Sequence, residues 1–496
     1  MAIDYIRSDT APLYQSDSGS TKVLDLLWGD RIELLTPGAS RSEARARGRS
    51  GFVSNAALGG SSLLEIYFID VGQGDGILIR TPDHRHLMID GGYSRSKQPT
   101  GKNAADFVDW KFFKDYGLPR IQLDAMIASH CDADHYGGLW DLLNAAQSPE
   151  LDVSEVRVEE FYHAGVSWWN KPGGGRWLGP HQADGGENFF IQLLSDRASA
   201  VNAIQPGAAP KLQGEWGQFI QSVTQALRMD NSFCGMTRLN HTADYLPGFE
   251  PAAGQASIKV LAPVEFVLGS QPAVRRYGSQ DSWNTNGNSI LLRLDYGRAR
   301  ILLTGDLNSF SHESLLRDYA GERQELECDV AKACHHGSEE VSYEFLQAMR
   351  AAATVICSGD AEGNDHPRPT IVAASATSGY PQILNDRLLT PLVYSTELAR
   401  SVSFGHPTGL TVPAGAGNPP LVIGAAELPN SSITFEETKA GDLNPKVRTR
   451  KLNQALVVAG LIYGLVNVRT DGEKILCATL NEKDYTWQVK TFSSRF

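Results

Sequence analysis

The sequence predicts an α/β protein in which two β-sheets lie face to face beneath outer helices, preceded by a small all-β module. Three observations lead there. Residues 1 to about 60 carry short alternating segments broken by Gly, Ser and Pro, the spacing of a sandwich or small barrel. Two later stretches, beginning near Leu63 and Ser257, each read as a run of strands, with helical segments between and after them. The chain's 496 residues also suffice for two or three domains and a large buried core.

In the module, strands are expected at 22–27, 30–35, 43–47 and 51–54. Residues 63–80 follow as strand, Gly-rich turn and strand, and 86–92 as a third strand after the Pro82-Asp83 turn. Asp70 and Asp90 each end one of these strands, which puts carboxylates at one rim of a sheet. Gly72-Gln73-Gly74-Asp75 is too short for a phosphate-binding P-loop and lacks its lysine. Asp90 suits two roles, an acceptor that orients a ligand histidine or a cap for the following turn. A helix is expected at 104–114 and a strand at 123–128.

Residues 148–255 form a Gly-, Trp- and Pro-rich insertion with one helix at 219–228. Long loops inside a domain are usually functional or disordered. Tyr162, Trp168, Trp169 and Trp177 suit a substrate-shaping role, with stacking on bases or sugars, and equally a plain packed insertion. Strands return at 257–263, 288–295 and 300–306, followed by a helix at 312–319, the segment 329–338, a helix ending at 350, a strand at 354–358 and a loop at 360–369. The expected division is a β module at 1–60, a main domain at 61–400 with 148–255 as its insertion, and a third part at 401–496. That third part reads as a linker or surface arm at 405–450 and a C-terminal β-hairpin, 461–480.

Composition excludes several classes. Six cysteines are scattered with no CxxC pair, so neither a zinc ribbon nor a disulfide framework is expected, and a reduced, cytoplasmic protein is. The first 19 residues lack the apolar core of a secretory signal, and no segment offers about 18 uninterrupted apolar residues for a membrane span. With a formal net charge of −12, any nucleic-acid surface must be local.

The chemistry concentrates in His130-Cys131-Asp132-Ala133-Asp134-His135, four potential metal ligands in six residues between an apolar strand and a helix-like run. An extended backbone would point His130, Asp132 and Asp134 one way and Cys131 the other, with His135 turning in as the helix begins. Cys131 is then expected as a small buried residue.

This motif, the strand end Leu303-Thr304-Gly305-Asp306 and His335-His336-Gly337-Ser338, in that order, resemble the metallo-β-lactamase superfamily. With Ile69-Asp70-Val71-Gly72-Gln73-Gly74-Asp75 and Met88-Ile89-Asp90-Gly91-Gly92 added, the chain looks most like its competence-protein branch, the hydrolase domain of ComEC-type proteins, over roughly residues 63–400. The resemblance implies an αββα metallo-β-lactamase sandwich with a dinuclear metal site at the rim between the sheets. Carried over, His130 and Asp132 bind the first metal, Asp134 and His135 the second, Asp306 bridges them, and His335 completes the second site, with His336 touching either the substrate or a ligand side chain. Asp132 stands where many members have His, and Asn284-Thr285-Asn286 lies where another ligand histidine would be. Both departures harden the first site, so Mn²⁺ is as suitable as Zn²⁺. The module's Trp28-Gly29-Asp30-Arg31 and Gly51-Phe52-Val53 resemble a bacterial SH3-like domain, which implies binding of a peptide, the cell wall or a protein partner.

Two divalent cations about 3.5–4 Å apart lower the pKa of a bound water and clamp both oxygens of a displacement. With no Ser-x-x-Lys or Gly-x-Ser-x-Gly motif, hydroxide held at the metal pair is the expected nucleophile. Asp134, His336 and His366 are the expected catalytic side chains, His366 as proton donor or phosphate contact. Lys332 and Arg368 read as solvated, or as phosphate contacts. The expected substrate is a phosphodiester, in a nucleic acid or a nucleotide. The alternatives are an acyl, lactone or phosphocholine ester, or an interaction protein with a little-used metal site.

Overall fold

The computed structural model describes residues 2–98, 101–359, 366–396, 403–412, 419–437, 446–455, 457–459, 465–481 and 486–496. Residues 360–365 of the expected loop, parts of the 405–450 stretch and residues 461–464 of the expected hairpin lie outside these.

The first six strands, Ala2–Tyr5, Thr10–Tyr14, Lys22–Leu27, Arg31–Thr36, Arg41–Ala46 and Arg49–Ser54, form one antiparallel sheet. Burial alternates strictly along Arg41–Ala46, so Ser42, Ala44 and Ala46 turn inward. The two-residue turn Arg47-Gly48, both at positive φ, matches the twist of the strands it joins. Inside lies a small core of Ile6, Leu13, Leu26, Ile32 and Val53. One side of this module belongs to the main domain, because Leu27, Trp28 and Leu63 pack in the same core as Tyr67 and Trp487.

The main domain has two sheets. The first has nine strands, in the order Gly235–Arg238, Glu155–His163, Arg120–Ala128, His86–Gly91, Gly76–Arg80, Leu64–Ile69, Leu465–Thr470, Lys474–Asn481 and Thr486–Ser493. The second has six: Ser257–Ala262, Leu291–Tyr296, Ala299–Leu303, Val330–Lys332, Ala353–Ile356 and Leu392–Ser395. Every residue of Leu64–Ile69 is buried, as expected of a strand covered on both faces. Leu64, Ile66 and Phe68 face the second sheet, meeting a core that includes Ile258, Leu292, Ile301 and Val355. Tyr67 and Ile69 point outward to the helices Ala104–Trp110, Ala133–Leu143 and Gly214–Gln225. A third core joins the second sheet to Ser309–Asp318, Tyr343–Met349 and Pro369–Ser378. Helix, sheet, sheet and helix thus stack as an αββα sandwich.

Strand direction decides where chemistry can gather. His86–Gly91, Arg120–Ala128 and Glu155–His163 run parallel, as do Ala299–Leu303, Val330–Lys332 and Ala353–Ile356. The loops after their carboxyl ends therefore share one rim.

Three elements differ from the sequence expectation. The C-terminal strands are no extension: Leu465–Thr470 pairs with Leu64–Ile69 from Leu465↔Ile69 to Thr470↔Leu64 and completes the first sheet. The stretch expected as linker or arm holds two two-stranded antiparallel ribbons among the described residues, Leu410–Val412 with Leu421–Ile423 and Ser432–Glu437 with Lys446–Lys451. A third, Ser403–Gly405 with Val457–Ala459, joins its two ends. The stretch expected as an insertion supplies two strands of the first sheet, Glu155–His163 and Gly235–Arg238. The rest of it is packed, its Trp216, Phe219, Ile220 and Val223 lying in the outer core with Tyr136 stacked on Phe219. Tyr162, Trp168 and Trp169 are all buried, which leaves them no face for a base or sugar.

Candidate metal centre

The ligand motif does not continue as a strand. Asp132 caps the helix Ala133–Leu143 with extended backbone, φ −94° and ψ 149°, so Asp134 and His135 sit in its first turn. Helix and strand can approach this closely because neither side carries a Cβ. A side chain at Gly138 would strike the backbone carbonyl of Gly91, and one at Gly74 the carbonyl of Asp134.

At the shared rim, His135 Nε2 lies 3.1 Å from Asp306 Oδ2 and 3.2 Å from His336 Nε2, and His336 Nε2 lies 2.8 Å from the same Asp306 oxygen. Asp134 Oδ2 stands 3.9 Å from His336 Nε2 and accepts a hydrogen bond from the Gln73 side chain at 3.0 Å. His130 Nε2 is buried without a hydrogen-bond partner, and its Nδ1 meets the hydroxyls of Ser129 and Ser289. Ligand atoms gather in overlapping groups: His130, His135 and Asp306; Asp134, His135 and His336; Asp75, Asp306 and His336; and Asp75, Asp90 and His135. Imidazole nitrogens and carboxylate oxygens converging in this way, with a buried acceptor left over on His130, fit divalent cations.

His336, and not His335, turns into this cluster. Both residues have left-handed backbone, φ 46° and 52°, which swings the second imidazole under the rim. His335 points outward, its Nε2 3.3 Å from the Asn286 amide and its ring 5.7 Å from that of His366. His366 therefore reaches the rim beside the cluster. Asp132 lies at the edge, 3.6 Å from His130 Nε2 and accepting a 2.6 Å hydrogen bond from Thr285. Thr285 and Asn286 thus fill the place where the sequence lacks a histidine.

The sequence assigns no role to Asp75 and a different one to Lys332. Asp75 is buried, with Oδ1 3.3 Å from His336 Nδ1 and Oδ2 2.5 Å from the Lys332 ammonium. Lys332, expected to be solvated or a phosphate contact, is fully buried, and it donates to the Gly305 carbonyl at 2.7 Å. Its apolar flanks, Val330-Ala331 and Ala333-Cys334, were the available signal. Asp90 has two jobs, accepting from the Ser129 amide at 2.8 Å and facing His135 Nδ1 at 2.8 Å.

The cluster draws in positive charge. Burial disfavours a charged His336, but Asp306 and Asp75 outweigh it and push its pKa up to about 10. Burial opposes the charge on His135 too, and Asp306 and Asp90 raise its pKa well above the ordinary value. Burial alone would raise the Asp306 pKa, yet His336, His135 and Lys332 hold it well below the usual carboxylate range. Burial, then His135, lowers the pKa of His130 to about 3. Burial, then His336 and His335, lowers that of His366 to about 4.

The fold and the rim of histidines and aspartates define a class. Residues 69–215 match the metallo-β-lactamase superfamily model, and the chain carries a domain of that superfamily. Its curated relatives fall in the competence-protein branch. It is 21% identical over 321 residues to ComE operon protein 3 of Bacillus subtilis, covering 63% of this chain and 30% of that protein. It is 38% identical over 87 residues to competence protein ComA of Neisseria gonorrhoeae, covering 17% of this chain and 12% of that one. The chain thus spans under a third of the length of either relative. Among solved structures, a metal-dependent hydrolase of the β-lactamase superfamily aligns with TM-score 0.31 and 11% identity, covering 67% of this chain and 96% of that one. Among the described residues no helix is long and apolar enough to cross a membrane.

Proposed function

We propose that this chain is a metal-dependent hydrolase of phosphodiesters, with a nucleic acid or nucleotide as substrate. The observation that carries the reading is the overlap of the ligand groups: His135, His336 and Asp306 each belong to more than one, which suits two adjacent ions rather than one. His130, His135 and Asp306 would hold one ion, and Asp134, His336 and Asp306 the other, with Asp132 at the outer edge of the first. Zn²⁺ and Mn²⁺ both suit this mixed donor set. Bound cations would supply an activated water and neutralise phosphoryl oxygens.

The rest is the work of the chain's own groups. Gln73 holds the Asp134 carboxylate, and Asp90 faces His135 Nδ1, so both side chains are aimed before a substrate arrives. His335 and His366 line the rim beside the cluster, placed to meet a phosphate oxygen or the leaving group. An anionic substrate is favoured by Arg176, an exposed guanidinium 4.1 Å over the Trp168 ring. That indole donates at 3.0 Å to the carbonyl of Cys131, between His130 and Asp132. The insertion thereby fixes a cation one ring away from the ligand loop.

The test is hydrolysis of single-stranded DNA, bis-p-nitrophenyl phosphate and a lactone by the purified protein with Mn²⁺ or Zn²⁺. Diester hydrolysis that falls at least 100-fold in Asp134→Ala is expected. Turnover of the lactone without the diester would replace this reading with that of an acyl hydrolase, and inertness toward all three with that of an interaction protein.

A further inference from the structure

The two inward histidines follow one plan with a difference: His135 Nδ1 is hydrogen-bonded to Asp90 at 2.8 Å, whereas His336 Nδ1 stands 3.3 Å from Asp75 Oδ1 without closing a hydrogen bond. Each presents Nε2 to Asp306 Oδ2, and each has its Nδ1 facing a buried carboxylate from the first sheet, Asp90 for His135 and Asp75 for His336. An imidazole that gives Nε2 to a cation keeps its proton on Nδ1, and a carboxylate accepting that proton fixes the ring and strengthens the donor. Asp75 also differs from Asp90 in that its second oxygen faces no backbone amide but lies 2.5 Å from the fully buried ammonium of Lys332. Lys332 also donates to the Gly305 carbonyl at 2.7 Å and stands 3.5 Å from Asp306 Oδ1.

We propose that Asp75 and Lys332 form a positioning pair for the metal centre, in which Asp75 orients His336 and Lys332 keeps Asp75 from acting as a ligand itself. Grouped only by distance, Asp75 qualifies as a ligand alongside Asp306 and His336. The ammonium decides otherwise: it occupies one Asp75 oxygen, while His336 Nδ1 faces the other. The same ammonium touches the Asp306 oxygen opposite the one that His135 and His336 share, so it also fixes which Asp306 oxygen points into the cluster. The pair joins the two sheets, since Asp75 precedes the strand Gly76–Arg80 of the first and Lys332 ends the strand Val330–Lys332 of the second. A buried positive charge behind several carboxylates lowers the net negative charge of the ligand set without taking up a coordination position.

This inference rests on the metal centre of the proposed function but not on its substrate, so it is tested by metal binding. Asp75→Asn alone strands a buried ammonium and is expected to fold poorly. The double variant D75N/K332M removes both charges at nearly constant volume, and the asparagine oxygen still faces His336. Zn²⁺ and Mn²⁺ binding would be measured by competition with a chromophoric chelator, and the fold by thermal melting. The expected result is a folded double variant that still takes up two ions, one of them 10- to 100-fold more weakly and the other unchanged. A structural role alone would leave both affinities intact or lower both with the melting temperature. Wild-type affinity for both ions in the double variant would overturn the proposal, and so would loss of one whole equivalent, which would make Asp75 a ligand. A wild-type protein that binds two ions but hydrolyses no diester would sink the substrate reading and leave this one standing.

Discussion

Between His335 and His336 the side chains are identical and only backbone geometry separates them. Successive left-handed residues put His336 Nε2 2.8 Å from Asp306 and leave His335 against Asn286. His336→Ala is therefore expected to lose one of two bound ions and at least 100-fold in hydrolysis. His335→Ala should keep both ions and lose far less, and metal content measured beside activity checks this. Loss of an ion only in His335→Ala would restore the assignment the sequence suggested. Residue type cannot separate two adjacent histidines, because the difference lies in φ and ψ. His130, Asp132, Asp134 and His135 were legible because they lie within six residues, whereas Asp306 came only with the resemblance. Asp75 and Lys332 were not legible, since their ion pair exists only once the two sheets face each other.

At the scale of elements, the same division holds. The strands at the chain's end were visible as alternating segments, but their pairing with Leu64–Ile69 depends on contacts far away in sequence. One buried side chain marks where that pairing meets the module. Arg469, fully buried in Leu465–Thr470, contacts Asp30 Oδ1 at 2.8 Å and Glu65 Oε2 at 3.4 Å and donates to the Trp28 carbonyl at 2.6 Å. Burial opposes ionisation of Glu65, yet Arg469 and Arg80 outweigh it and lower its pKa to about 2. The Trp28-Gly29-Asp30 segment, part of the SH3-like resemblance, is thus spent on the main domain. Arg469→Met would leave two buried carboxylates short of a cation. A loss of about 3–5 kcal/mol is expected from the urea midpoint, typical of breaking a buried ion pair from one side. A change below about 0.5 kcal/mol, the scale of an exposed substitution, would mean the module is held by apolar packing alone.

Across the whole molecule, His86, half-buried, and His163 and His312, fully buried, are kept neutral by their surroundings, and each contributes to how stability responds to acid. His86 sits between Phe112 and Tyr116, His163 stacks on Phe161 and accepts from the Gly165 amide, and His312 stacks on Phe345. Burial is the leading cause in each case and lowers the pKa from 6.5 to about 3. The folded value lies below the unfolded one, so between these limits the unfolded chain binds more protons. Stability is therefore fully present above about pH 6.5 and is lost as pH falls toward the folded value, by about 1.4 kcal/mol per pH unit for each group. Above pH 6.5 these groups are neutral in both states and contribute no slope. In that range His135 and His336, whose folded pKa values are raised, tilt stability the other way. The contribution of one neutral histidine is therefore read as the difference between wild type and variant in urea unfolding from about pH 6.5 to about 4.5. In His163→Asn, whose side-chain oxygen can replace Nδ1 as acceptor for Gly165, the slope should be shallower by about 0.7 kcal/mol per unit at pH 6.5, approaching about 1.4 kcal/mol per unit near about pH 5. An unchanged slope in that variant would mean that His163 takes up its proton in the folded protein.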